Sequence, residues 1–312
     1  MQGACRREHN TDRREWRRRE RSGRIVRANG NAAGEPPAPR ERAGLRITFL
    51  GTRGGIDARS PLHRSHAALL VARAGRRVMV DCGADWAARV RRIRPDAIVL
   101  THAHPDHVDG LRAGAPCPVS ATRETWRGIP HGHVAPRDRR LLVPGATRRI
   151  AGVPFVAFRV EHSLLAPAVG LRVGSGRCAL IYVPDVVSIP ALPEPLRRVA
   201  LYVGDGASIT RGVLRGRGGR QIGHASIRTQ LAWCAGAGVA RAIFTHCGTE
   251  IVAGGERAAA RRVRQLGEAV GVEATIARDG LTIDLTEAVV ARSRAVARTR
   301  SLRAARRSPL RR

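Results

Sequence analysis

The stretch Thr101-His102-Ala103-His104-Pro105-Asp106-His107 decides how this chain is read. It follows Asp96–Leu100 (DAIVL), an apolar run expected as a strand. In an extended segment His102 and His104 point to one side. Asp106 and His107 follow where the chain bends, and aim at a neighbouring point. Imidazole nitrogen and carboxylate oxygen are the donor set that suits Zn, Mn or Fe. Four costly polar groups beside a buried strand need partners, so the cluster predicts a metal site at a strand end.

Working outward, strands are expected at Leu45–Leu50, Ala67–Ala72 and Arg77–Val80, the last two joined by an Ala74-Gly75 turn. Others follow at Val153–Val160, Val169–Val173, Cys178–Val183, Val199–Val203, Ala240–Phe244, Glu273–Ile276 and Leu281–Leu285. Helices are expected at Ala84–Ile93, Ala225–Ala235 and Gly254–Val270. The pattern is α/β, with two sheets and outer helices. One local cluster does not complete a two-metal site. Further candidates each stand just past an apolar strand: Asp81, His162, Asp185 and His246. His224 stands in Gly223-His224-Ala225-Ser226 before a helix.

The ordered series Asp81, His102-x-His104-x-Asp106-His107, His162, Asp185, His246 resembles the five motifs of the metallo-β-lactamase superfamily, over roughly residues 45–285. The resemblance implies a four-layer αββα sandwich with two divalent metal ions between its sheets, zinc first, manganese or iron as alternatives. It implies that His102, His104 and His162 hold one ion and Asp106, His107 and His246 the other. Asp185 would bridge them, and Asp81 would stand behind and orient a ligand histidine. A hydroxide shared by the ions would be the nucleophile, with Asp106 and Asp185 positioning it.

Three features are similar to the ribonuclease Z and phosphoribosyl cyclic phosphate phosphodiesterase branch: Phe49-Leu50-Gly51-Thr52, Val80-Asp81-Cys82-Gly83, and His224 ahead of Thr245-His246. In that branch the extra histidine contacts phosphate or protonates the leaving group, so His224 is expected as a catalytic group. The implied activity is phosphodiester hydrolysis, on a small phosphodiester or a nucleic-acid end. Hydrolysis of carbon esters, thioesters or lactams on the same fold is the alternative. The short interval between His162 and Asp185 leaves no room for a long tRNA-binding arm there. Relatives of this kind often dimerise, so a homodimer is an expectation carried by the resemblance alone.

Other polar residues are weighed lower. His63 and His66 follow Gly54-Gly55, and Asp205 ends a strand in Val203-Gly204-Asp205-Gly206; these three are candidate substrate contacts. His131 and His133 read as surface-loop residues, and Cys247 as a small strand-end residue rather than a nucleophile.

Composition sets the frame. The chain has 312 residues and a formal charge of +31, and all 56 of its basic residues are arginine. Asparagine is confined to Asn10, Asn29 and Asn31. Physics does not delete lysine from solvated faces, so the excess reads mainly as GC-rich coding bias. Residues 1–44 carry twelve arginines against six acids, and 288–312 carry nine with none. Both read as tails flanking a domain at 45–287, with non-specific nucleic-acid contact as their functional alternative. The six cysteines form no C-x-x-C pair, which fits reduced thiols and a cytoplasmic setting. No apolar run reaches membrane-spanning length, so no membrane association is expected.

Overall fold

The computed structural model describes residues 44–217 and 219–286; the Arg-rich segments expected as tails lie outside the described residues. Along the chain come β1 (Leu45–Gly51), β2 (Ala68–Arg73), β3 (Arg76–Val80), α1 (Val90–Ile93), β4 (Ala97–Val99), α2 (Pro105–Val108), β5 (Val119–Ala121), α3 (Arg123–Gly128), β6 (Arg139–Leu141), β7 (Thr147–Ile150) and β8 (Val153–Arg159). There follow β9 (Val169–Val173), β10 (Leu180–Tyr182), β11 (Leu201–Asp205), β12 (Val213–Arg217), β13 (Arg220–His224), α4 (Ile227–Gly236), β14 (Arg241–Thr245), α5 (Thr249–Val252), α6 (Glu256–Ala269), β15 (Glu273–Ile276) and β16 (Thr282–Leu285).

They make two seven-stranded sheets, ordered β16-β1-β2-β3-β4-β5-β6 and β15-β14-β11-β10-β9-β8-β7, and a separate β12–β13 hairpin. The strand alternation explains the layers. Val78, Val80 and Val99 of the first sheet meet Phe155, Leu171, Leu180, Tyr182 and Val203 of the second in one buried core. The intervening Met79, Ile98 and Val119 face outward and are covered by Trp86, Val90, Val108 and Leu111. Ile181, Tyr202 and Phe244 face outward on the other side, under Ile227, Leu231 and Val263. Helix, sheet, sheet and helix therefore stack as the expected αββα sandwich, each layer hiding one apolar face.

Within this frame the expected helix at Ala84–Ile93 is shorter than its pattern suggests. It is a 3-10 turn at Ala84–Trp86 followed by the single turn α1. Arg94 ends it in the left-handed region. The expected helix at Gly254–Val270 is α6, Glu256–Ala269; the single turn α5, which was not expected, precedes it, and Gly255 (φ 99°) lies between them. That backbone angle suits glycine. Strand β9 has the expected bounds, Val169–Val173.

Candidate metal centre

Chain direction brings the polar residues together. Strands β3 and β4 run parallel, as do β10, β11 and β14. β8 lies two antiparallel steps from β10 and so points the same way. Their C-terminal ends share one edge, where α/β sheets place ligands. Past β4 and His102, His104 is extended and caps α2. Pro105 occupies the first helical position, where its missing N–H costs nothing. That turn redirects Asp106 and His107. Asp81 and His246, which end β3 and β14, both sit in the left-handed region, at φ 61° and 53°. Such strain in non-glycine residues persists where surrounding structure over-determines it, and it concentrates at functional sites.

The seven expected ligands fall into overlapping groups whose donor atoms lie within 4.8 Å of one another: His102, His104 and His162; His102, His107 and Asp185; Asp106, His107 and His246. His102 Nε2 is 2.9 Å from His104 Nδ1, which is 3.2 Å from His162 Nε2. His107 Nε2 is 3.0 Å from Asp185 Oδ2, and His246 Nε2 is 3.1 Å from Asp106 Oδ2. Donors bound to one tetrahedral zinc at 2.0–2.1 Å stand about 3.3 Å apart, so these spacings suit a shared cation.

The outer hydrogen bonds settle which nitrogen faces inward. Thr101 Oγ1 donates to Asp81, 3.0 Å away, and so accepts from His102 Nδ1 at 3.0 Å. His162 Nδ1 donates to the Gly223 carbonyl at 2.8 Å. Both rings are thereby left with Nε2 lone pairs aimed at His104, which has one proton at most to offer there. Asp81 Oδ2 lies 3.0 Å from His107 Nδ1, though off the axis of a hydrogen bond. Both His107 nitrogens, Asp185 Oδ2 and His246 Nδ1 are buried without a hydrogen-bond partner.

The electrostatics divide in the same way. Burial holds His102 well below its usual range, and burial with His162 holds His104 at about 4, so both are neutral donors. Burial opposes charge on His107 and His246 too. There the carboxylates win: Asp106 and Asp185 raise both histidines. Buried donors without partners beside buried carboxylates that demand positive charge fit divalent metal ions.

His224 completes the edge. It ends β13, and its Nδ1 is 2.8 Å from Asp205 Oδ2. Burial would lower it, but the charge and hydrogen bond of Asp205, with Asp185 and Asp106, lift it to about 9. Its ring stands 5.0 Å from that of His162 and 5.5 Å from that of His246. With 21% of its side chain exposed, against 4% and 6% for those two, it is the more open group.

The expected substrate contacts are placed differently. Asp205 is completely buried, and its carboxylate accepts from Val186 N and Ala207 N besides holding His224. It supports a neighbour instead of meeting solvent. His63 is buried, with Nδ1 2.7 Å from Thr52 Oγ1. His66 lies against Asp85 at 3.1 Å. His133, expected on the surface, is buried and reaches Asp109, while His131 is exposed. Burial pushes the Cys247 thiol well up, consistent with an inert strand-end residue.

The sequence reading missed three contributors. Thr101 ties Asp81 to His102. The Gly223 carbonyl orients His162, and a Cβ on Gly223, at φ 119°, would meet Val213 O at 1.9 Å. Arg53 is buried against Asp85 at 2.6 Å; its loop carries Gly55, where a Cβ would stand 2.9 Å from Asp106 Oδ2. Only Thr101 had a signal, its place between strand and first histidine.

Fold and cluster together define a protein of the metallo-β-lactamase fold class. Residues 76–247 match the family described as the beta-lactamase superfamily domain, and the chain belongs to that superfamily. Among curated proteins it is similar to Ribonuclease Z of Bradyrhizobium diazoefficiens, 43% identical over 21% of this chain and 22% of the relative. It is also similar to Ribonuclease Z of Methanopyrus kandleri, 35% identical over 33% of this chain and 32% of the relative. The chain thus matches less than a third of either relative's length. Among solved structures, the metallo-beta-lactamase fold protein YhfI from Bacillus subtilis superposes with TM-score 0.61 at 16% identity, over 78% of this chain and all of that one. A diphosphatase of the PhnP family superposes with TM-score 0.58 at 22% identity, over 77% and 96%.

Proposed function

We propose that residues 45–287 form a binuclear metal-dependent phosphodiesterase domain. The observation that carries the reading is the convergence of two donor groups about Asp185, with the His224–Asp205 pair beside them. The Ribonuclease Z relatives support a phosphodiester substrate, either a small phosphodiester or a nucleic-acid end. In this reading His102, His104 and His162 hold one ion, and Asp106, His107 and His246 the other, with Asp185 between. Zinc suits this imidazole-rich set best, with manganese and iron as alternatives.

Two divalent ions bound there would supply Lewis-acid charge and an activated water. The protein's own residues do the rest. Thr101 and the Gly223 carbonyl hold His102 and His162 in the donor tautomer. Asp81 backs the His107 ring. Asp106 and Asp185 offset the positive charge. With Nδ1 committed to Asp205, His224 carries its transferable proton on Nε2, where it can bind an anionic oxygen or protonate a leaving group. A standing cation at this position favours a phosphodiester over a neutral ester or lactam.

The test is a substrate panel on metal-loaded full-length protein. Turnover of bis(p-nitrophenyl) phosphate with Zn, Mn or Fe is expected. Hydrolysis of a thioester or lactam with no phosphodiester turnover under any of the three would overturn the reading.

A further inference from the structure

Resting on the two-ion part of that reading, we infer that the buried Arg53–Asp85 ion pair positions the second half of the centre alone, so that the affinity of the ion at Asp106, His107 and His246 is set separately from that of its neighbour. The two halves differ in what fixes their donors. In the first, Thr101 and the Gly223 carbonyl hold two of the three, His102 and His162, by hydrogen bonds. In the second, the Asp106 carboxylate meets His246 Nε2 at 3.1 Å and His107 Nε2 at 3.4 Å, both expected ligands, and no other hydrogen-bond donor among the described residues. His246 Nδ1 is buried without a hydrogen bond, with Asp205 Oδ1 4.0 Å away. Only His107 of that half has a polar group, Asp81, close behind it.

Packing takes the place of the missing bonds. Cys247 N donates to the Thr52 carbonyl at 2.7 Å, and Gly54 N to the Cys247 carbonyl at 3.0 Å, so the loop after β1 is paired with the residue that follows His246. A Cβ on Gly54 would stand 3.1 Å from the His246 ring, and one on Gly55 2.9 Å from Asp106 Oδ2. From the opposite direction, a Cβ on Gly83 would stand 1.9 Å from the Asp106 carbonyl oxygen. Asp106 is thus gripped between the loop at 53–56, on its side chain, and the segment at 82–86, on its backbone.

The ion pair joins those two segments. Arg53 Nη2 donates to Asp85 Oδ2 at 2.6 Å, while Nη1 donates to the carbonyls of Gly54, at 3.3 Å, and Ile56. The planar guanidinium therefore bonds its own loop and the facing segment at once, which the point charge of a lysine does not reproduce. Arg53 is almost fully buried, and its Nε has no partner. A buried ion pair is weak evidence for stability, since apolar residues of similar volume often serve as well. What this one adds over an apolar contact is a fixed distance between loop and segment. Arg53 acts through the loop, so it is a positioning residue.

The test reads the two ions apart. Metal-free full-length chain is titrated with zinc in competition with a chromophoric chelator, for the natural sequence, R53K and G55A. R53K keeps a cation beside Asp85 but loses the fork, and Asp85 retains Arg59 and the His66 N–H. G55A leaves the ion pair in place and presses on Asp106 directly. In both variants one zinc should bind within about threefold of its natural affinity and the other about 10–100-fold more weakly, the loss that follows removal of a ligand's support. R53K added to H246A, which has already lost the second half, should leave the remaining ion unaffected. Natural affinity for both ions in R53K overturns the inference, as does equal weakening of both, or a further loss when R53K is added to H246A. Should R53K melt too early to titrate, G55A carries the test, and natural affinity for both ions there overturns it. A natural chain that binds a single zinc refutes the two-ion reading and this inference with it. A chain that binds two but does not turn over bis(p-nitrophenyl) phosphate refutes only the phosphodiesterase reading.

Discussion

His224 Nδ1 lies 2.8 Å from Asp205 Oδ2, a pair formed between the end of the hairpin and the end of β11. The pair fixes the tautomer of His224, and the charge of Asp205 raises it above the usual imidazole range. Its acid function should thus be present at neutral pH and be lost as pH rises into the alkaline range. His224→Ala should lower kcat on bis(p-nitrophenyl) phosphate by about 10²–10⁴-fold. Asp205→Asn removes the charge that lifts His224, so the alkaline limb of kcat should move to lower pH. An alkaline limb that stays in place in Asp205→Asn would show that His224 is not the group titrating.

Asp185 sits within 3.0 Å of His107 and 3.6 Å of His162, so it belongs to both halves of the cluster. Elemental analysis should find two ions per natural chain. Asp185→Asn should lower that content and reduce turnover by at least a hundredfold. Chelation should depress the melting temperature, since ions that bind only the folded state stabilise it. Full metal content in Asp185→Asn would count against its bridging place.

Asp81→Asn leaves every ligand in place but weakens the backing of His107 and Thr101. Metal affinity should fall by about 10–100-fold, measured by competition with a chromophoric chelator, with circular dichroism unchanged.

Gly83 is where the ends of β3 and α2 touch. A Cβ there would stand 1.9 Å from the Asp106 carbonyl, a backbone atom that cannot give way. Gly83→Ala should cost about 1–3 kcal/mol through overpacking and displace Asp106, lowering metal content as well. The matched control is Gly236→Ala at the end of α4, where the added methyl meets nothing within 4 Å. That change should be neutral or stabilising by up to about 1 kcal/mol. Thermal melts of the two variants decide it.

Acid should attack the loop that walls the centre. Burial opposes charge on Asp85, but hydrogen bonds from Arg59, the His66 N–H and Arg53 hold it at about 2. Its unfolded value is about 3.9. The stability it contributes is present above about pH 4 and lost as pH falls towards 2. Arg53 is only 2% exposed, so Asp85→Asn, which strands a buried guanidinium, should cost about 3 kcal/mol at neutral pH. Denaturant midpoints between pH 2 and 7 would show the natural protein converging on the variant as pH drops; parallel curves would refute the account.

Much of this was legible because the sheets are parallel where it matters. An apolar run ending in Asp81, Asp185 or His246 announces a strand end, and parallel strands put such ends on one edge. Thus seven candidate donors could be named before their distances. Asp205 carried the same signature, yet the sequence could not separate a strand-end carboxylate facing the opening from one facing a histidine behind it. The hairpin was missed because Arg and Gly alternate in it without an apolar face, so no period-two signal exists. Strands β5 and β6 were missed because Pro118, Ser120 and Thr122 interrupt the first and two arginines open the second, whereas the equally short β4 and β10 lie in unbroken apolar runs. The Arg53–Asp85 pair joins residues far apart in sequence, and neither lies in a recognisable motif.

The candidate donors are split between the sheets: His102, His104, Asp106 and His107 follow β4 in the first, while His162, Asp185 and His246 follow β8, β10 and β14 in the second. On the ribosome this makes the centre a late assembly. The first group lacks an imidazole until β8 has been synthesised, and the second waits for β14. An ion arriving early would meet only the run from His102 to His107, which would serve as the landing point for metal before the second half of the sandwich closes over it.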